Sequence, residues 1–443
     1  MNNFAEYGLA VPEILLPKDK DLKTWCVIAC DQFTQDISYW ENAEKATCGK
    51  PSTLNLILPE VYLSSPDKAE RIKKIHSAMD SYLKEDVFDA PKNEFIYIER
   101  KTAFGRVRKG LLCAVDLDSY EWKPFSKSLV RATEATIVDR IPPRKEIRKG
   151  APLESPHIML LVNDQQRLLV ERAGDAAKKK APVYSGDLML ESGSITGWAL
   201  SSDDELSLVK DSLGKLKQKN TDSDGSAFMF AVGDGNHSLA TAKAVWDEYK
   251  AELKALGKSD EEIAACPVRY ALAEIVNIYD EGLTFEPIHR VVLGADKDEL
   301  EGFLKDKMNA SVSFAKDQGE LEKEVASSGG NFGLVYTACG KTSYLLCKTG
   351  VKELLVSKIQ PLLDDFIKER NSSGKAIEID YIHGSSEVFR LGAKEGNVTI
   401  LLPPVAKDSF FATINKTGPL PRKSFSMGEA SEKRFYLECR RLF

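Results

Sequence analysis

Histidine is scarce, at 5 residues in 443, so each one has to be weighed singly. No apolar run approaches the length of a membrane-spanning helix, which excludes a helical integral membrane protein. The opening MNNFAEYGLAVPEILLPKDK lacks the apolar centre of a secretory signal. A cytoplasmic protein without a membrane partner is therefore expected. Basic charge is not in surplus either: 61 Lys and Arg stand against 67 Asp and Glu, a net charge of −6. A general grip on nucleic acid backbone needs a basic surface, so no nucleic acid partner is expected. Cys26 and Cys30 are four apart, but no second pair with histidine completes a zinc set. The eight cysteines read as reduced, mostly buried thiols. A Walker A loop is missing as well, and with it the lysine of that motif. Internal repeats and long low-complexity tracts are absent.

What remains is an ordinary globular composition, 43% hydrophobic and 29% charged, in a chain long enough for two domains. Strand and helix patterns alternate. TWCVIAC (24–30) reads as a strand, AERIKKIHSAMDSYL as a helix, and NEFIYIERKTAFGRVRKGLLCAVDL as a hairpin turning near Gly105. HIMLLV (157–162) reads as a buried strand. ESGSITGW reads as a Gly/Ser break. CPVRYALAEIVNIYDEGLTFEPIHRVVL reads as two strands about a turn at 280–282, and helical and strand patterns alternate beyond it. The fold class expected is mixed α/β. The boundary is expected near 294–297, giving domains 1–295 and 296–415, with a basic tail, 416–443, folding back onto the site.

The densest chemical signal is FAVGDGNHSLATAKAVWDEYK, where a short apolar strand runs into a helix. Gly233 and Gly235 let backbone amides turn inward. A helix start offers unpaired N–H groups and a partial positive charge. Asn236 or Ser238 can cap that helix, Asp234 can hold a metal ion, and His237 can donate to a phosphoryl oxygen. Of the other histidines, His157, His289 and His383 lie in short polar loops or at strand ends and are candidate substrate-binding residues. His76 sits mid-helix and reads as structural. SLVRATEATIVDRIPPRKEIR concentrates Arg131, Glu134, Arg140, Arg144 and Arg148, and its two prolines predict an extended path that projects these side chains. Arginine forks suit phosphate or carboxylate. Asp31, after the strand at 24–30, is a candidate base. Arg422, in PRKSFSMG, is a candidate to close over a bound anion.

At GDGNHSLATAK the chain resembles a family known as domain of unknown function 1015, whose usual loop reads DGHHR before a helix. CVIACDQ, STLNLILPE, RATEATIVDRIPPR, APLESPHIMLL, FEPIHR, DYIHG and LPRKSFSMG also look like family blocks, so the resemblance runs the whole length. Here Asn236 and Ser238 stand in place of the first His and the Arg of that loop. The loop is in turn similar to the phosphate-binding motif of the ParB/sulfiredoxin superfamily, which includes free-serine kinases. The resemblance implies a ParB/sulfiredoxin-like core with a second, C-terminal α/β domain. It also implies phosphorylation of free L-serine to O-phospho-L-serine, feeding cysteine biosynthesis, with pyrophosphate or an adenine nucleotide (ADP or ATP) as donor.

On that expectation Gly233, Gly235, Asn236, Ser238, Arg131, Arg140 and Arg144 bind phosphate. Asp31 or Glu134 takes the serine proton, Asp234 and His237 complete the catalytic set, and Asp234 holds Mg2+. Small molecules are the expected partners, alongside a possible homodimer. The alternative is a non-catalytic nucleotide sensor of the ParB-like type. A sulfiredoxin-like redox enzyme would need a cysteine beside the loop, and the loop itself has none.

Overall fold

Strands form where β-branched and aromatic residues concentrate between turn residues. In the computed structural model, which describes residues 4–443, the first are Leu9–Ala10 (β1), Val27–Ile28 (β2), Phe95–Lys101 (β3) and Val107–Asp116 (β4). Tyr120–Glu121 (β5), Val130–Ala132 (β6), Leu153–Glu154 (β7) and Met159–Val162 (β8) follow. Then come Tyr184–Asp187 (β9), Ser194–Leu200 (β10), Phe230–Asp234 (β11) and Tyr270–Asn277 (β12). The helices between them include Lys68–Lys84 (α1), Ile141–Arg148 (α2), Val170–Ala177 (α3), Asp203–Lys219 (α4) and Asn236–Ala255 (α5).

All of these strands but β2 and β7 make one mixed sheet in the order β9-β10-β3-β4-β12-β8-β11-β6-β5, with β1 added beside β4. Most neighbours are antiparallel, but β8 runs parallel to β12, and β6 runs parallel to both β11 and β5. Side chains of β3 alternate between two apolar clusters: Phe95 and Tyr97 enter one, Ile96 and Ile98 the other. A strand has a period of two, so the sheet is buried on both faces. The hairpin of β3 and β4 turns at Gly105, which takes φ +77°, as its sequence predicts.

Several local expectations give way to tertiary context. TWCVIAC yields a helical turn, Leu22–Trp25, with only Val27–Ile28 extended. The Gly/Ser break at ESGSITGW is a tight connection into β10, and Ser194–Leu200 pairs fully with β3. Pro142 and Pro143 do not keep their segment extended. They stand in the first turn of α2, where a missing N–H breaks no helical bond and the fixed φ suits the helix.

Residues up to Leu283, with Glu429–Phe443, form one compact unit, and Thr284–Gly428 form a second. The strands read on either side of 280–282 thus belong to different sheets. Glu286–Leu293 (β13) lies with Ser311–Phe314 (β14), Asn331–Ala338 (β15), Lys341–Lys348 (β16), Glu378–His383 (β17), Asn397–Leu401 (β18) and Phe425–Ser426 (β19). Their order is β14-β16-β15-β18-β13-β17, with β19 beside β13, antiparallel throughout. Both units mix helices and strands, so the fold class is mixed α/β. No helix of the described residues is long and apolar enough to cross a membrane.

The last residues divide between the units. Those from Glu429 join the first, where Phe435–Tyr436 (β20) pairs with β2 and Arg440–Arg441 (β21) pairs with β7. Buried charges fix this segment. Arg434, 1% exposed, lies 2.6 Å from both Glu274 Oε2 and Glu438 Oε2. Arg440 donates to Glu154 at 2.6 Å. Glu432 accepts a fork from Arg106, and its carboxyl is held down to about 2 despite burial, chiefly by that arginine and an amide. A carboxylate or guanidinium survives burial only when so paired.

Candidate functional site

The site grows from the junction of β11 and α5. β11 is apolar because it lies inside the sheet, and Leu239, Ala242, Val245 and Trp246 give α5 its buried face. Near the junction the ladder between β8 and β11 slips. Met159 faces Asp234 while Leu160 faces Val232, which leaves Gly233 as the extra residue of a bulge. A Cβ on Gly233 would stand 2.8 Å from Leu161 Cγ, so its lack of a side chain serves packing.

Gly235 is the N-cap of α5, in the left-handed region at φ +78°. No side chain caps the helix. The expectation that Asn236 or Ser238 caps α5 is therefore corrected: both lie inside its first turn and have other partners. The Asn236 amide accepts from Thr133 N at 3.2 Å and donates to Thr133 Oγ1 at 3.2 Å. This clamps the loop to the end of β6, which runs parallel alongside. Ile137 N donates to His237 Nε2 at 3.4 Å. Asp234 Oδ1 accepts from Gly235 N at 3.0 Å, and Lys433 Nζ lies 3.3 Å from Asp234 Oδ2.

Ser238 faces a different neighbourhood. Its Oγ lies 2.9 Å from His157 Nε2, and His157 Nδ1 lies 2.7 Å from the Tyr436 hydroxyl. That hydroxyl donates to Cys30 Sγ at 3.1 Å. Burial pushes both the Cys30 thiol and the Tyr436 phenol up, so both are neutral near pH 7. These four residues line a cavity of about 150 Å3. A cysteine thus stands three hydrogen bonds from the loop's serine, though absent from the loop itself. Its raised pKa disfavours the thiolate that redox chemistry needs.

The arginine-rich stretch disperses. Arg144 forks onto Glu60, and Arg148 Nη2 lies 2.7 Å from Glu154 Oε2; both line the cavity, already paired. Arg140 is exposed. Arg131 is buried, donates to Ser128 O at 2.8 Å and stacks 4.4 Å over Phe228. Glu134 follows β6, one residue beyond the Thr133 clamp, and is half-buried. Asp31, next to Cys30, is half-buried and accepts from its neighbour Gln32 at 2.9 Å. His76 bonds Ile147 O at 2.8 Å, tying α1 to α2.

His289, His383 and Arg422 belong to the second unit. There Leu402 N donates to His289 Nδ1 at 3.0 Å. Burial, then Arg290 and His383, lower this imidazole to about 4. Sequence reading overlooked Lys433, Tyr436, Thr133 and Cys30. Thr133 lies within a segment already singled out. Lys433 and Tyr436 sit in EKRFYLEC, which carries no motif and is brought to the loop only by pairing with β2. Among the described residues no cluster of three or more His, Cys, Asp or Glu could hold a metal ion.

Several solved structures are similar at low level. A free serine kinase in complex with AMP is 13% identical, covering 74% of this chain and 87% of that one, at TM-score 0.36. A conserved hypothetical protein from Pyrococcus furiosus is 12% identical, covering 75% and 97%, at TM-score 0.34. SbnI from Staphylococcus aureus, truncated at its C-terminus, is 9% identical, covering 74% and 82%, at TM-score 0.33. Likenesses this low carry no weight for activity. No curated protein matches the chain. The family model for a protein of unknown function, DUF1015, matches residues 12–366, most of the chain, and the chain belongs to that family.

Proposed function

We propose that the β11–α5 loop is the phosphate site of a phosphotransferase that makes O-phospho-L-serine from free L-serine. Pyrophosphate or an adenine nucleotide is the donor. The observation that carries this reading is the start of α5: a 20-residue helix opening on a left-handed glycine with no side-chain cap. The N–H groups of such a first turn attract an anion, and the helix dipole adds to them. Lys433, beside Asp234, supplies a cation where the family's usual loop has arginine close by.

Phosphoryl transfer is mostly positioning and charge neutralisation. Gly233 and Gly235 shape the turn that presents the amides of α5 to the donor phosphates, Asn236 holds the loop against Thr133, and His237 steadies the transferring group. Asp31 or Glu134 accepts the proton of the serine hydroxyl. A magnesium ion would come with the donor phosphates, which supply most of its oxygen ligands. Asp234 is the carboxylate that would face it, in exchange for Lys433. His289, His383 and Arg422 have no part in this reading.

The test is incubation of the full chain with L-serine, Mg2+ and pyrophosphate, ADP or ATP in turn, with phosphoserine read by 31P NMR. Phosphoserine with one donor, lost in Asp234→Asn, is expected. No phosphoserine with any donor sinks the reading, and nucleotide binding without turnover points to the sensor instead.

A further inference from the structure

The cavity beside the loop holds an arrangement that phosphate binding does not use. Ser238 Oγ is 2.9 Å from His157 Nε2, and the other ring nitrogen is 2.7 Å from the Tyr436 oxygen. With the phenol hydrogen on Cys30 Sγ, His157 Nδ1–H donates to Tyr436, and Nε2 is left to accept from Ser238. A hydroxyl within reach of a base, whose far nitrogen is oriented by a third group, is how an alcohol becomes a nucleophile.

Two further observations fix the substrate class. Ser238 lies in the first turn of α5, whose N–H groups can take up a developing oxyanion. More than half of the residues lining the 150 Å3 cavity are apolar, and its two arginines are neutralised by Glu60 and Glu154. An apolar space of that size accommodates a group about as large as benzene. It suits a hydrocarbon better than a phosphate.

We propose that Ser238 is the nucleophile of a second activity, hydrolysis of carboxylic esters with a small apolar acyl group, with His157 as base and Tyr436 as its positioning residue. Ser238 Oγ bonds to the carbonyl carbon while its proton passes to His157 Nε2. The C–O bond to the alcohol breaks, and the alcohol leaves with that proton. Water then attacks the acyl-serine, giving its proton to His157, and the acid departs as Ser238 is reprotonated. No redox partner is needed.

The full chain is treated with a fluorophosphonate probe, which traps such a serine as fluoride leaves, and assayed with p-nitrophenyl butyrate. The probe is expected on the Ser238 peptide by mass spectrometry. His157→Gln should slow labelling and hydrolysis by about 100-fold or more, the usual scale of general-base catalysis. Tyr436→Phe should lower kcat with KM unchanged, which a packing defect would not do. No adduct at Ser238, or hydrolysis that survives Ser238→Ala, overturns the proposal. Labelling of the unmodified chain requires no variant to fold. Phosphoserine formation is a separate assay, so either activity can fail without the other.

Discussion

His157 in the first unit and His289 in the second are about equally buried, at 7% and 4% exposed, yet their surroundings differ in kind. His157 has a hydroxyl on each ring nitrogen, and hydroxyls can give or take a proton. His289 has a backbone amide on Nδ1, which only donates, and Arg290 beside it. The first ring is placed to move a proton and the second is locked neutral. Burial alone does not mark a functional histidine; the chemistry of its partners does.

The contrast depends on Tyr436, and Tyr436 is held by the buried charges of the C-terminal segment. Arg434→Ala therefore breaks it most severely. It leaves Glu274 and Glu438 buried without their cation, a loss of about 3–5 kcal/mol. Denaturant unfolding should show the first unit melting early, and the His157 ring resonances seen by NMR should move as the Tyr436 contact loosens.

The next effect belongs to His289. Its folded value of about 4 lies below the ordinary 6.5, so the unfolded chain takes up the proton first as pH falls. Its contribution is fully present above pH 6.5 and is lost as pH drops towards 4, on the order of 3 kcal/mol in all. Unfolding free energies at pH 7.5 and pH 4.5 should converge by roughly that amount in His289→Gln, which keeps an acceptor but no titratable ring. An unchanged pH dependence would show that His289 is not the group responsible.

Much of this molecule is legible in its sequence because the signals are local. The β3–β4 hairpin follows from alternation and Gly105, and the β11–α5 junction follows from glycines between an apolar run and a helical one. The misreadings share a different cause. Pro142 and Pro143 break a helix in its interior but begin one at its start, and only the packing of α2 decides which. The arginines at 131–148 look like one patch in sequence. A strand followed by a helix sends Arg131 to Phe228, Arg144 to Glu60 and Arg148 to Glu154. Lys433 and Tyr436 lie about 200 residues from the loop they serve. Such a separation is bridged only by strand pairing, which short two-residue strands announce poorly.

Gly235 carries the smallest effect and the finest resolution of the comparison. Its φ of +78° is costly for any side chain, about 1–2 kcal/mol for alanine. A Cβ there would also press 3.1 Å from Ile158 Cγ1 and 3.2 Å from Ile158 Cα, next to His157. Gly257 has nearly the same backbone, φ +73°, with nothing within 4 Å of its missing Cβ. Gly257→Ala thus measures the backbone term alone, and the excess cost of Gly235→Ala measures the contact with the chain that carries His157. An excess of about 1 kcal/mol, with a shift in the His157 ring resonances seen only for Gly235→Ala, would mean that the loop and the imidazole form one rigid site. Equal costs would mean that Ile158 yields, and that the loop can move without the histidine.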